Sequence, residues 1–100
     1  MNEFILIGTL LQVFPMEETS SGIKVVNFLM KCEKPFKSSG TIYDVFKVTA
    51  FKNVAEEFDD ITSVGQTLCV RGRLQANNYS KDDKTYYSPE LLAERISVIK

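Results

Sequence analysis

Only one stretch of this chain, Asn53 to Ile61, repeats its apolar residues at helical spacing, through Val54, Phe58 and Ile61. Everything on either side alternates apolar with polar residues, or runs apolar, over lengths that suit strands. The core must therefore be closed mainly by sheet, with the lone helix covering one opening. Asn53 is the expected N-cap, Glu56 and Glu57 suit the positive end of the helix dipole, and Asp59 and Asp60 are expected to face water.

Three strands are predicted before this helix and two after it. Asn2 to Phe14 is the first, with Phe4 and Leu6 on one side and Ile5 and Ile7 on the other. Gly8 marks a bulge or sharp coil within it. Pro15 ends this strand, and MEETSSG is a polar turn with Gly22 available for a positive φ. Ile23 to Cys32 is the second, apolar on both sides apart from Lys24, Asn27 and Lys31, as expected of a central or covered strand. After Pro35 and a polar loop from Phe36 to Gly40, the third strand runs to Phe51. Gln66 to Asn78 is the fourth, with Leu68, Val70, Gly72 and Leu74 alternating with outward Arg71 and Arg73. NNYSKDDKTYY is a hairpin loop, and Leu91 to Ile99 closes the chain. This order, in one domain spanning residues 1–100, is that of the OB-fold. It is an all-β, five-stranded Greek-key barrel with one short helix between strands 3 and 4, which binds through strands 2 and 3 and its hairpin loops.

The third strand carries the functional reading. Tyr43, Val45, Lys47, Thr49 and Phe51 share one side, and Ile42, Phe46, Val48 and Ala50 share the other. The second set can close a core. The first presents rings with a lysine between them, and the basic loop residues Lys34, Phe36 and Lys37 lead into it; flat apolar faces beside cations suit unpaired nucleotides. The competing reading packs Tyr43 and Phe51 beneath a loop or a neighbouring subunit.

The net charge of −1 does not point to nucleic acid, but a chain that segregates its charges can still hold a positive groove; the competing reading of a charge run is a solvated face. Lys31 to Lys52 holds five lysines against Glu33 and Asp44, a local +3, and Arg71 to Lys84 holds four cations against Asp82 and Asp83, a local +2. With no histidine and no CxxC, no zinc site is expected; Cys32 and Cys69 sit in apolar strand patterns and are expected as reduced, buried thiols. No nucleophile elbow or glycine-rich phosphate loop occurs, and Asp59 and Asp60 diverge on their helix, so neither an enzyme nor a cofactor is expected. No run approaches the roughly 18 apolar residues of a membrane span, and MNEFILIG lacks the features of a secretion signal. The expected location is the cytoplasm.

The chain resembles the bacterial single-stranded DNA-binding proteins over almost its full length. The matching pieces are MNxxILIGxL (Met1 to Leu10), SGxxVxNF (Ser21 to Phe28), AFxxxAE (Ala50 to Glu56), VGxxLxVRGRL (Val64 to Leu74) and LLAERI (Leu91 to Ile96). The resemblance implies sequence-tolerant binding of single-stranded DNA in replication, recombination or repair, with Phe36, Phe51 and Tyr79 at base-stacking positions and Lys47 at a basic one. Tyr43 and Tyr86 are further stacking candidates, and Lys34, Lys37, Lys52, Arg71 and Arg73 complete the cationic set. Val45 stands where the family usually carries an aromatic, and Gln75 to Asn78 where it tends to carry arginines. The family also implies a homo-oligomer, a dimer or tetramer, through the first strand. Its two apolar sides exceed what a small barrel buries, so Phe4 and Leu6, with Phe46, are the expected interface. Replicative members continue into a tail with an acidic tip. A chain closing at Lys100 suits a trimmed domain or a short relative resembling primosomal replication protein N, and with it a second reading as a protein–protein assembly module of a primosome.

Overall fold

The computed structural model describes residues 1–34 and 42–100, so the expectations for Phe36 and Lys37 lie outside the described residues. Eight strands and one helix follow in order: β1 (Phe4–Val13), β2 (Glu17–Glu18), β3 (Lys24–Glu33), β4 (Tyr43–Phe51), α1 (Lys52–Ile61), β5 (Thr67–Ala76), β6 (Tyr79–Lys81), β7 (Lys84–Tyr86) and β8 (Pro89–Ile99). The five long strands close on themselves in the order β1-β5-β8-β4-β3 and back to β1, with β4 and β8 parallel and every other pair antiparallel. These are the five expected strands, and the helix falls between the third and fourth of them, as the OB-fold order requires. The two short pieces that the sequence reading took for turn and loop are the small edge strand β2 and the ribbon β6–β7.

Closure follows from the period-two pattern. Leu10, Val26, Phe28, Met30, Val48, Ala50, Leu68, Val70, Ala93 and Ile96 point inward, and Ala55 and Phe58 of α1 plug one end. Phe58 stacks on Phe28 with ring centroids 4.3 Å apart. Burying each of the larger inward side chains, Val, Leu, Ile, Phe or Met, contributes roughly 1.5–3 kcal/mol. Bending the strands into a barrel takes two bulges. Leu11 is the extra residue of β1 against β3, and Glu94 is the extra residue of β8 against β5. The first bulge thus falls three residues beyond Gly8. That glycine serves a different need, because a Cβ there would strike the Lys31 carbonyl and the Cys32 sulfur. At Gly72 a Cβ would run into the Leu92 carbonyl and the Phe4 ring.

The structure departs from several expectations. Phe4 and Leu6 pack against the chain's own core, so the apolar side of β1 left outward is Ile5 and Ile7, not the expected pair. Phe46, opposite Met30 on the inward side of β4, is half-buried. Asn53 does not cap the helix. The chain passes straight from β4 into α1, Phe51 is the N-cap with no side-chain acceptor, and Lys52 takes a left-handed φ of 56° to make the turn. Glu56 and Glu57 consequently lie past the first turn, and Glu56 pairs with Lys24 at 3.4 Å. Ile61, expected in the plug, is 40% exposed. Cys32 and Cys69 are free and half-buried.

Candidate nucleic-acid interface

On the outer wall β3 and β4 set their side chains in cross-strand pairs: Val25 with Phe51, Asn27 with Thr49, Leu29 with Lys47, Lys31 with Val45 and Glu33 with Tyr43. The alternation expected of β4 holds. Tyr43, Val45, Lys47 and Phe51 are exposed, while Val48 and Ala50 are buried. Ile42, expected on the inner side, is instead exposed. Thr49 Oγ1 donates to Asn27 Oδ1 at 2.6 Å, which holds the two strands' outer faces in register.

Lys47 stands on a ridge between two clefts. One, of about 280 Å³, is lined by Phe14, Pro15, Glu17, Asn27 and Leu29; the other, of about 240 Å³, by Thr49, Asn77, Ser88, Pro89 and Glu90. The wall continues across β8 to β5, since Thr49 pairs with Leu92 and Leu92 with Arg73. Arg73 therefore lies on the same outer side as Thr49, two strand spacings or about 10 Å away. Its Nη2 donates to Gln75 Oε1 at 3.2 Å, and among the described residues neither Arg73 nor Lys47 is ion-paired.

The remaining predicted site residues divide. Phe51 and Tyr43 are each 39% exposed, and the Lys31 ammonium lies 5.2 Å from the centre of the Tyr43 ring. Tyr79 and Tyr86 are cross-strand partners on the ribbon and stack on one another, with centroids 5.1 Å apart and 17° between planes. Of the neighbouring tyrosines, Tyr86 joins the stack, and Tyr87 lines a separate cleft with Asn2, Leu74 and Pro89. The ribbon turns through Asp82 and Asp83, both at positive φ (53° and 62°), as a tight two-residue hairpin loop requires. Lys34 pairs with Asp44 at 3.5 Å. Lys52 is exposed at the strained junction beside Phe51. Arg71 is not brought to Lys47. It is held by the Glu3 carboxylate in a different cleft, with Asn2, Glu94 and Arg95.

The sequence reading missed Lys31 as a ring partner, although its place two and four residues from Leu29 and Asn27 puts it on the outer side of β3. It also missed Asn77 and Glu90. Asn77 Nδ2 donates to Glu90 Oε1 at 3.0 Å across thirteen residues, a contact with no local signal. Beside the wall, burial and then the neighbouring Asp44 carboxylate push the Cys32 thiol above its ordinary value of 9.0.

A closed five-stranded barrel with rings and unpaired cations on the outer wall of its second and third long strands is an OB-fold binding barrel in form. The model of the single-strand binding protein family matches residues 1–99, and the chain belongs to that family. Single-stranded DNA-binding protein 3 of Listeria innocua is 27% identical over 103 residues, across 100% of this chain and 64% of its own length. The single-stranded DNA-binding protein of Oceanobacillus iheyensis is 25% identical with the same coverage. The chain thus spans 64% of the length of these two relatives. Among solved structures, that of a deletion mutant of the single-stranded DNA binding protein from Thermus aquaticus shares the fold, with a TM-score of 0.79 at 24% identity over 100% of this chain and 51% of that one. No helix among the described residues is long and apolar enough to cross a membrane.

Proposed function

We propose that residues 1–100 act as one binding domain that holds single-stranded DNA along the outer wall of β3 and β4, with little regard to sequence and without catalysis. The observation that carries this reading is the placement of Lys47 and Arg73, both free of ion pairs among the described residues, on the same outward side as the exposed rings of Tyr43 and Phe51. Bases stack on Phe51, Tyr43 and the Tyr79–Tyr86 pair. Phosphates meet Lys47, Arg73 and Lys52, with Lys34 contributing when its pairing with Asp44 opens. The names of the relatives agree with this ligand, and replication, recombination or repair in the cytoplasm is the setting it suits.

Intrinsic tyrosine fluorescence tests it directly. A thymidine oligomer should quench the emission of Tyr43, Tyr79 and Tyr86 at low salt, and an unchanged signal at micromolar protein would remove the reading.

A second feature supports self-association. Ile5 and Ile7 of β1 are 60% and 59% exposed, Ile7 beside half-buried Cys69, and exposed Ile99 lies two strands away on the same outer wall. We read this as the surface through which the chain forms a dimer or tetramer, or through which it joins replication or primosome proteins. Charged substitution of both isoleucines should lower the sedimentation coefficient to the monomer value. A wild-type chain that is already monomeric at tens of micromolar would exclude the homo-oligomer.

A further inference from the structure

Among the described residues the ribbon β6–β7 makes no substantial contact with any other strand or helix. Its two tyrosines stack on each other, so nothing in the ribbon's own packing decides where that stack stands relative to the clefts around Lys47. Among the described residues, what can decide it is the connection to the barrel. The chain crosses between barrel and ribbon at Asn77–Asn78 and returns at Tyr87–Ser88, and three hydrogen bonds tie these crossings together. The Asn77 N–H donates to the Ser88 carbonyl at 2.7 Å, the Ser88 N–H donates to Asn78 Oδ1 at 3.3 Å, and Asn77 Nδ2 donates to Glu90 Oε1 at 3.0 Å.

Glu90 is half-buried in the cleft that Lys47 and Thr49 also line, and no cation among the described residues pairs with it. A carboxylate in a trench for a polyanion opposes binding by its charge. Its hydrogen bond to Asn77 supplies a reason for its presence. Tyr79 follows Asn77 by two residues, within about 7 Å of chain, so a small rotation at Asn77 carries the rings toward or away from the trench.

We propose that Glu90 and Asn77 form a clasp that fixes the ribbon's angle and holds the Tyr79–Tyr86 stack at the rim of the trench, where it receives a base. Glu90 is a positioning residue and acts through Asn77. The proposal rests on the single-strand reading above.

Glu90→Ala and Glu90→Gln separate the clasp from the charge, because both remove the carboxylate but only alanine removes the acceptor. Toward a thymidine oligomer at low salt, Glu90→Gln should bind at least as tightly as the wild type. Glu90→Ala should bind about five-fold more weakly than Glu90→Gln, the order expected of one lost hydrogen bond. In a Tyr79→Ala background the difference between Ala and Gln at position 90 should vanish, since the clasp works only through the ring. Without DNA, backbone order parameters of residues 79–86 should fall in Glu90→Ala and hold in Glu90→Gln. Equal binding by the two variants, a difference that survives Tyr79→Ala, or an equally ordered ribbon in both overturns the clasp. A wild type that fails to bind the oligomer overturns the single-strand reading, and the order parameters then report on the clasp alone.

Discussion

Two parts of the barrel's outer wall carry the same ingredients, exposed apolar side chains and arginine or lysine, and use them differently. On the β3–β4 side the rings of Tyr43 and Phe51 stand out beside exposed Val45, and Lys47 and Arg73 have no carboxylate partner among the described residues. On the β1–β5–β8 side the apolar groups are Ile5, Ile7 and Ile99, Arg71 is neutralised by Glu3, and Arg95, opposite Arg71, has no carboxylate partner among the described residues. Flat faces beside unpaired cations suit a hydrated polyanion, whose bases stack and whose phosphates release counterions. Aliphatic groups beside a neutralised pair suit a drier contact with protein. The lesson is that a cation's partner matters as much as its position: Arg71 and Arg73 are two residues apart on one strand and belong to different surfaces.

The largest effect serves as the control for this contrast. Phe58→Ala removes the plug that stacks on Phe28 beneath both faces and should cost about 3–5 kcal/mol in denaturant unfolding, with both surfaces lost together. Phe51→Ala should leave stability nearly unchanged and weaken single-strand binding by about 1–3 kcal/mol, as read by titration; a wild-type affinity would mean that its ring takes no base. Next come the charges. Lys47→Ala and Arg73→Ala should each reduce the slope of log affinity against log salt by about one, whereas Arg71→Ala should leave that slope unchanged; an equal drop in all three would dissolve the distinction between the two faces. The Arg71–Glu3 pair is largely exposed, so Arg71→Ala should alter unfolding free energy by no more than about 1 kcal/mol.

The smallest effect concerns Cys32, beneath one end of the ring-bearing wall. Its thiol is raised above 9.0 by burial and then by Asp44. A raised folded-state value means that the native state holds the proton longer, so its contribution to stability is complete below pH 9 and is lost as pH climbs through the folded value. Asp44→Asn removes the carboxylate's share and lowers the value. Cys32 should therefore alkylate faster at a fixed alkaline pH, and an unchanged rate would mean that burial alone sets it.

The number and order of the long strands, the place of the helix and most of the sidedness of β4 can be read from the residues alone. Each of these is local: a period of two or of about 3.6 is written in neighbouring residues and needs no distant partner to be read. Tertiary structure decided the rest. Alternation along β1 showed two apolar sides but not which was inward, and closure against β3 and β5 turned Phe4 and Leu6 in. The pairing of Arg71 with Glu3, the stack of Tyr79 on Tyr86 and the bond from Asn77 to Glu90 join residues whose approach depends on where whole strands end up. The N-cap was misjudged for a related reason. Asn53 has the right side chain, but the direct passage from β4 into α1 left the cap to Phe51 and the left-handed turn to Lys52. Periodicity specifies which residues share a side, and only the closed barrel specifies what that side meets.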